Sequence, residues 1–146
     1  LPTYAVGSAA GSTAPGARAA ELAVFRLFEL GYDPRDVLTA AGSAPLAPVT
    51  FDETLAMART NDAIAYGGRV HLVVREEFDR FDEVASTVGE SHGTPFADVF
   101  EAVDYDFAEL DASVFAPAQV TVDVVNGPTH VVGGTDESIL ADSFGL

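Results

Sequence analysis

Segments with a helical spacing of apolar residues alternate with short strand-like segments, and this order restricts the fold more than any other feature of the chain. Helices are predicted for residues 17–30, 52–65, 76–88, 96–103 and 136–144. Strands are predicted for residues 37–41, 69–74, 119–125 and 129–132, and the last two flank the hairpin signal Asn126-Gly127. Helices interleaved with strands indicate an α/β (α+β) fold. We therefore expect a two-layer lobe with a mixed β-sheet and packed helices.

The first predicted helix has recognisable ends. Residues 8–16 are small and predict a loop that leads into the helix, Ser12 or Thr13 can cap it, and Gly31 can end it. Its apolar stripe, which should pack on the sheet, is predicted to consist of Ala20, Val24, Leu27 and Phe28.

The charge of the chain is strongly one-sided. It carries 23 Asp and Glu against 7 basic residues, for a formal net charge of -16, and every basic residue is Arg. An acidic, lysine-free surface over a normal core indicates a protein adapted to concentrated salt, where screening removes most self-repulsion. An ordinary acidic protein that lacks Lys by chance is the alternative.

The composition also excludes several classes of partner. A net charge of -16 offers no basic footprint for nucleic acid or for anionic lipid. No apolar run reaches the ~20 residues of a membrane span. The chain has no Cys, which excludes disulfides and thiolate metal ligands. The cytoplasm is the default location. Since the chain begins at Leu1 without Met and its first segment is apolar, we expect it to be a piece of a longer protein.

Common catalytic signatures do not fit. Residues 11–16 have the spacing of a phosphate-binding loop, but Ala17-Arg18 stands where that loop needs Lys followed by Ser or Thr. The three His residues share no metal-binding spacing, so no metal site is expected. A cysteine nucleophile is absent from the sequence as well. The chemistry that remains is acid-base catalysis and polar binding.

Two groups of polar residues are candidates for that chemistry. Arg18 and Glu21 are three residues apart, so their side chains can meet on one helical face, either as a surface ion pair or as a carboxylate held ready to move a proton. A run of four polar residues from Arg59 to Asp62 interrupts an apolar helix and cannot share one face. Some of them point inward or toward a ligand, unless they only cap the helix or face solvent.

Five motifs resemble those of methenyltetrahydromethanopterin cyclohydrolases, in the same order along the chain. They are GSAPLAPV at residues 42–49, AMARTNDAIAYGG at 56–68, DYDF at 104–107, VFAPA at 114–118 and SFGL at 143–146. The resemblance spans almost the whole chain but only the second half of such enzymes. It implies that residues 1–146 form the C-terminal lobe of a two-lobe cyclohydrolase, with the N-terminal lobe absent from this chain.

The resemblance also implies an activity. Such enzymes hydrolyse the N5,N10-methenyl bridge of tetrahydromethanopterin to the N5-formyl form, reversibly and without metal or cofactor, in a cleft between two lobes, and they assemble as homotrimers. The family's catalytic Arg and Glu match Arg18 and Glu21 here, in the context Gly16-Ala17-Arg18-Ala19-Ala20-Glu21. Thr60, Asn61 and Asp62 are implied as substrate contacts.

Glu21 is expected to act as the general base on a water molecule, and Arg18 to keep Glu21 ionised and oriented. The expected partners are the methenyl pterin and the N-terminal lobe of the same enzyme. The chain alone is therefore expected to be weakly active or inactive. Two alternatives stay open: a non-catalytic pterin-binding or assembly lobe, and a relative that uses tetrahydrofolate.

Overall fold

The structure is a computed structural model that describes residues 3–146. Its helices in chain order are α1 (Ala9–Gly16), α2 (Ala19–Leu30), α3 (Glu53–Gly67), α4 (Phe96–Ala102) and α5 (Glu137–Phe144). Its strands are β1 (Val37–Ser43), β2 (Arg69–Val74), β3 (Gln119–Val124) and β4 (Thr129–Gly133). None of the helices in this part of the chain is long and apolar enough to cross a membrane.

The four strands form one sheet in the order β1-β2-β3-β4. β1 and β2 are antiparallel, β2 and β3 are parallel, and β3 and β4 are antiparallel. Parallel neighbours need a long crossover, and the chain between β2 and β3 supplies it with α4 and several short helical turns. The predicted α/β fold with a mixed sheet is confirmed.

The main core lies between α2 and one face of the sheet. Alternate residues of β2 and β3 point into it, because side chains in a strand alternate between faces; these include Val70, Leu72, Val74, Val120 and Val122. The helix contributes Ala19, Ala23, Leu27 and Leu30, at helical spacing. Of the predicted stripe, Leu27 is buried and Ala20 and Val24 pack against the core, whereas Phe28 is exposed.

A second apolar cluster joins α3 to α4. Ala58, Phe96 and Phe100 are buried, and Phe115 packs against them. The ring centroids of Phe96 and Phe115 are 6.0 Å apart, which is a normal spacing for an aromatic pair. This cluster matters for function because two of its rings face the candidate site.

The structure corrects two predicted segments. Residues predicted as a loop before α2 form α1 instead, where Ser12 donates a hydrogen bond to the Ala47 carbonyl and Thr13 to the Ala9 carbonyl, so neither caps α2. The α-helix predicted for residues 76–88 is wrong. This segment is irregular and contains two short 3-10 turns, Phe81–Glu83 and Ser86–Val88. Burial of Phe81 and Val84 against the sheet stabilises this path in place of helical hydrogen bonds.

Candidate active site

Arg18 and Glu21 form a two-pronged ion pair at the start of α2. The Arg18 Nε donates to Glu21 Oε2 at 3.0 Å, and its Nη2 donates to Glu21 Oε1 at 2.8 Å. Arg18 is the N-cap residue of α2 and Glu21 lies in its first turn. The two side chains remain 59% and 62% exposed. The contact expected from the three-residue spacing is present, and the pair is open to solvent.

The chain path around Arg18 explains why the pair sits at this place. α1 ends at Gly16, and α2 starts at Ala19, so Arg18 lies at a break between two helices. The Arg18 N–H donates to the Pro15 carbonyl, and its own carbonyl accepts from the Leu22 N–H. Gly42 of β1 lets the helix start approach the sheet closely, since a Cβ there would lie 2.9 Å from the Ala20 nitrogen. The break and this close approach fix the first turn of α2.

The hydrogen bond and charge of Arg18 lower the pKa of the Glu21 carboxyl below its usual range. The N-terminal end of a helix also favours a negative charge in its first turn. Glu21 is therefore ionised at neutral pH, and each of its oxygens is oriented by the guanidinium. A carboxylate in this state can accept a proton from a water molecule.

Two adjoining grooves meet at Arg18. The first groove has a volume of about 260 Å³ and lies between α2 and the turn that precedes β3. Its lining residues are Arg18, Glu21, Leu22, Phe25, Arg26, Glu29, Ala112, Phe115 and Ala116. The second groove has a volume of about 190 Å³ and lies between α2, α3 and α4. Its lining residues are Pro15, Arg18, Leu22, Met57, Thr60, Asn61, Ile64, Phe96, Phe107 and Phe115. Arg18, Leu22 and Phe115 belong to both, so the two grooves are neighbours with a shared boundary.

Thr60 and Asn61 line the second groove, and the structure thereby brings them together with Arg18. The Thr60 hydroxyl donates to the Met57 carbonyl at 2.8 Å within α3. The Asn61 side-chain amide donates to the Val114 carbonyl at 2.9 Å, which fixes the turn that carries Phe115. Both side chains therefore help to shape the groove wall, and substrate contact by them stays a prediction.

Asp62, by contrast, lies in the interior, where it lines a separate small cavity together with Asn61. Its side chain is 1% exposed and lines neither groove. Its two oxygens accept hydrogen bonds from the Phe96 N–H at 2.9 Å and from the Ser143 hydroxyl at 2.5 Å. Burial raises the pKa of the Asp62 carboxyl to about 6, against the opposing effect of these two bonds.

Several groove residues were not predicted. Phe25, Arg26 and Glu29 follow Glu21 and Leu22 at helical spacing, so the periodicity of α2 contained the signal for them. Phe107 and Phe115 lie far from α2 in the sequence; the motifs at residues 104–107 and 114–118 contain them, but those motifs alone do not indicate a place in the groove. Among residues 3–146, no three His, Asp or Glu side chains are grouped as a metal site would require.

Comparison with known proteins gives consistent results. A family model described as "Cyclohydrolase (MCH)" matches residues 1–144. The methenyltetrahydromethanopterin cyclohydrolase of Halobacterium salinarum is 58% identical over 146 residues, which cover 100% of this chain and 47% of that protein. The enzyme of the same name from Methanothermobacter marburgensis is 40% identical over 146 residues, covering 95% of this chain and 46% of the relative. The chain thus spans about half the length of the curated relatives it matches.

Proposed function

The chain belongs to the methenyltetrahydromethanopterin cyclohydrolase family, and we propose that it forms the lobe of such an enzyme that carries the proton-transferring residues. The reaction is hydrolysis of the N5,N10-methenyl bridge of tetrahydromethanopterin to the N5-formyl form. The observation that carries this proposal is the ion pair of Arg18 and Glu21 in the first groove, since Arg18 also lines the second groove together with Thr60 and Asn61.

The proposed mechanism follows from the chemistry of the substrate. The methenyl carbon belongs to a cationic amidinium, so it is electrophilic without help from a metal or cofactor. Glu21 takes a proton from a water molecule as the water oxygen bonds to this carbon. Glu21 then returns the proton to N10 as the bond between the carbon and N10 breaks. The remaining hydroxyl proton leaves to solvent, and the formyl group stays on N5.

Arg18 and the groove supply orientation in this mechanism. The guanidinium fork of Arg18 holds both oxygens of Glu21 and keeps the carboxylate ionised between turnovers. We assign the flat pterin to the second groove, next to Phe115 and Leu22, with Thr60 and Asn61 as its polar contacts. Positioning of the reacting atoms supplies much of the rate in reactions of this kind.

The proposal includes a cover for the groove, supplied by the remaining half of the protein. Phe25 and Phe28 of α2 are 55% and 58% exposed, and together with Val24, Ala40 and Glu21 they border an open apolar surface. Because Glu21 borders both this surface and the first groove, a lobe docked there would exclude water from the carboxylate. Assembly as a homotrimer stays a prediction that rests on the resemblance, and a cytoplasmic location stays a prediction that rests on the composition.

The test is a substrate assay on the full-length protein that carries this sequence. Loss of the methenyl chromophore should be rapid with methenyl-tetrahydromethanopterin and much slower with methenyl-tetrahydrofolate, and the 146-residue chain alone should show little activity. Faster turnover of the folate would assign the protein to folate chemistry. Absence of turnover with either pterin, in a folded full-length protein, would favour a non-catalytic binding or assembly lobe.

A further inference from the structure

Asp62 is the one carboxylate with a buried side chain among residues 3–146, and nothing in the proposed mechanism uses it. Burying a carboxylate is costly unless hydrogen bonds compensate. Here one oxygen accepts from the Phe96 N–H at the start of α4, and the other accepts from the Ser143 hydroxyl near the end of α5. A single side chain of α3 therefore holds two other helices.

The bond to Phe96 leads directly to the groove. Phe96 lines the second groove, and its ring packs against Phe100 at 5.5 Å between centroids and against Phe115 at 6.0 Å. Phe100 in turn packs against Phe107 at 4.5 Å. Phe96, Phe107 and Phe115 form the aromatic wall of the groove. Asp62 therefore holds Phe96, the first residue of this wall, by a hydrogen bond from the Phe96 backbone N–H.

The bond to Ser143 leads to the last helix. Ser143 is held twice by α3, since its hydroxyl donates to Asp62 and its carbonyl accepts from the Arg59 Nε at 2.9 Å. Asp62 thereby ties α5 to the same turn of α3 that presents Thr60 and Asn61 to the groove. Within the polar run, Thr60 and Asn61 line the second groove, whereas Arg59 and Asp62 bind neighbouring helices.

We propose that Asp62 is a positioning residue, which orients the aromatic wall and the Thr60–Asn61 turn for the pterin without touching it. Hydrogen bonding, and not negative charge, is what this role requires. An Asn at this position can accept from the Phe96 N–H with its oxygen and donate to the Ser143 oxygen with its amide. A direct contact between Asp62 and the cationic substrate would instead require the carboxylate. The kinetic part of this proposal rests on the proposed function.

The test compares D62N, D62A and S143A in the full-length protein by kinetics with the methenyl pterin. We expect D62N to keep kcat and KM within about threefold of the parent protein, because the hydrogen bonds persist. D62A should raise KM about tenfold or more and change kcat less, because it loosens the binding wall. D79N makes the same charge change at an exposed position outside α3, α4 and α5 and serves as the control, with no change expected.

Hydrogen exchange provides a second measurement that does not depend on activity. D62A should speed exchange in both α4 and α5, S143A in α5 alone, and D62N in neither. A loss of substrate binding in D62N as large as that in D62A would overturn the proposal in favour of direct contact. Unchanged exchange in α4 of D62A would overturn it as well. If the parent protein turned over no pterin, the proposed function would fail while the exchange measurement still decided the role of Asp62.

Discussion

At the scale of single residues, two carboxylates of this lobe have opposite environments. Glu21 is exposed and paired with Arg18, which lowers the pKa of its carboxyl. Asp62 is buried, and burial raises the pKa of its carboxyl to about 6. Environments that push two carboxyl pKa values apart separate their roles. We assign proton transfer to Glu21 and the fastening of helices to Asp62.

The raised pKa of Asp62 predicts a dependence of stability on pH. In the unfolded chain an Asp carboxyl titrates near 3.9, so between there and about pH 6 the folded protein holds a proton that the unfolded chain has lost. The contribution of Asp62 to stability is therefore full below the unfolded pKa and is lost as the pH rises through about 6. The loss is about 3 kcal/mol at most.

Urea unfolding of the parent protein and of D62N isolates this contribution, because the other titrating groups are common to both. The free energy of unfolding of D62N, relative to the parent, should rise by about 2–3 kcal/mol from about pH 4 to about pH 8. Parallel pH dependences for the two proteins would show that Asp62 titrates normally.

The sequence predicted part of the site at this scale. The pairing of Arg18 with Glu21 follows from helical spacing alone. Thr60 and Asn61 stand out because they interrupt an apolar helix, but their role as substrate contacts is implied only by the resemblance. The burial of Asp62 could not be predicted, since its partners Phe96 and Ser143 lie 34 and 81 residues away in the chain.

At the scale of elements, the start of α2 determines where the Arg18–Glu21 pair lies. The predicted loop at residues 8–16 is a helix, because Ser8 caps it and its small residues pack closely. Gly, Pro and Ser in that segment indicated a loop by composition, but a cap and tertiary contacts outweigh weak helix propensity. The wrong prediction at residues 8–16 does not affect the predicted contact between Arg18 and Glu21, because that contact depends only on the first turn of α2.

The close approach of β1 to α2 predicts a sensitive glycine. G42A would place a Cβ 2.9 Å from the Ala20 nitrogen and 3.2 Å from a Val70 methyl group, so α2 must shift. We expect a loss of about 1–3 kcal/mol in the free energy of unfolding, with a lower kcat because Glu21 moves with the helix. G134A is the matched control, since a Cβ there meets nothing within 4 Å. Equal stability of the two variants would refute this explanation of the helix position.

At the scale of the whole molecule, the fold class was predictable and the groove was not. The alternation of segments and the Asn126-Gly127 turn established a mixed sheet with packed helices. The groove, however, forms where α2, α3, α4 and the turn at Ala112–Phe115 meet, and only tertiary packing brings these together. Phe107 and Phe115 belong to two of the five family motifs, but their meeting in the groove depends on tertiary packing.

The charge of the whole chain predicts a response to salt. At a net charge of -16, like charges repel in the compact state, and at 1 M salt the screening length falls to ~3 Å. The melting temperature should therefore rise between low and multimolar KCl. The match to a protein of Halobacterium salinarum is consistent with the predicted adaptation to concentrated salt. A melting temperature that stayed constant or fell over that range would contradict it.

The central claim, that Glu21 is the general base, is tested most directly by kcat of E21Q in the full-length protein. The control is E83Q, because Glu83 makes the same two-pronged pair with Arg80 at the same spacing but lines neither groove. We predict that kcat falls about 10²–10⁴-fold in E21Q with little change in KM, and that E83Q matches the parent protein. R18K should also lose activity, and the double variant should resemble the worse single variant. An E21Q protein that kept more than about a tenth of the parent kcat would contradict the account.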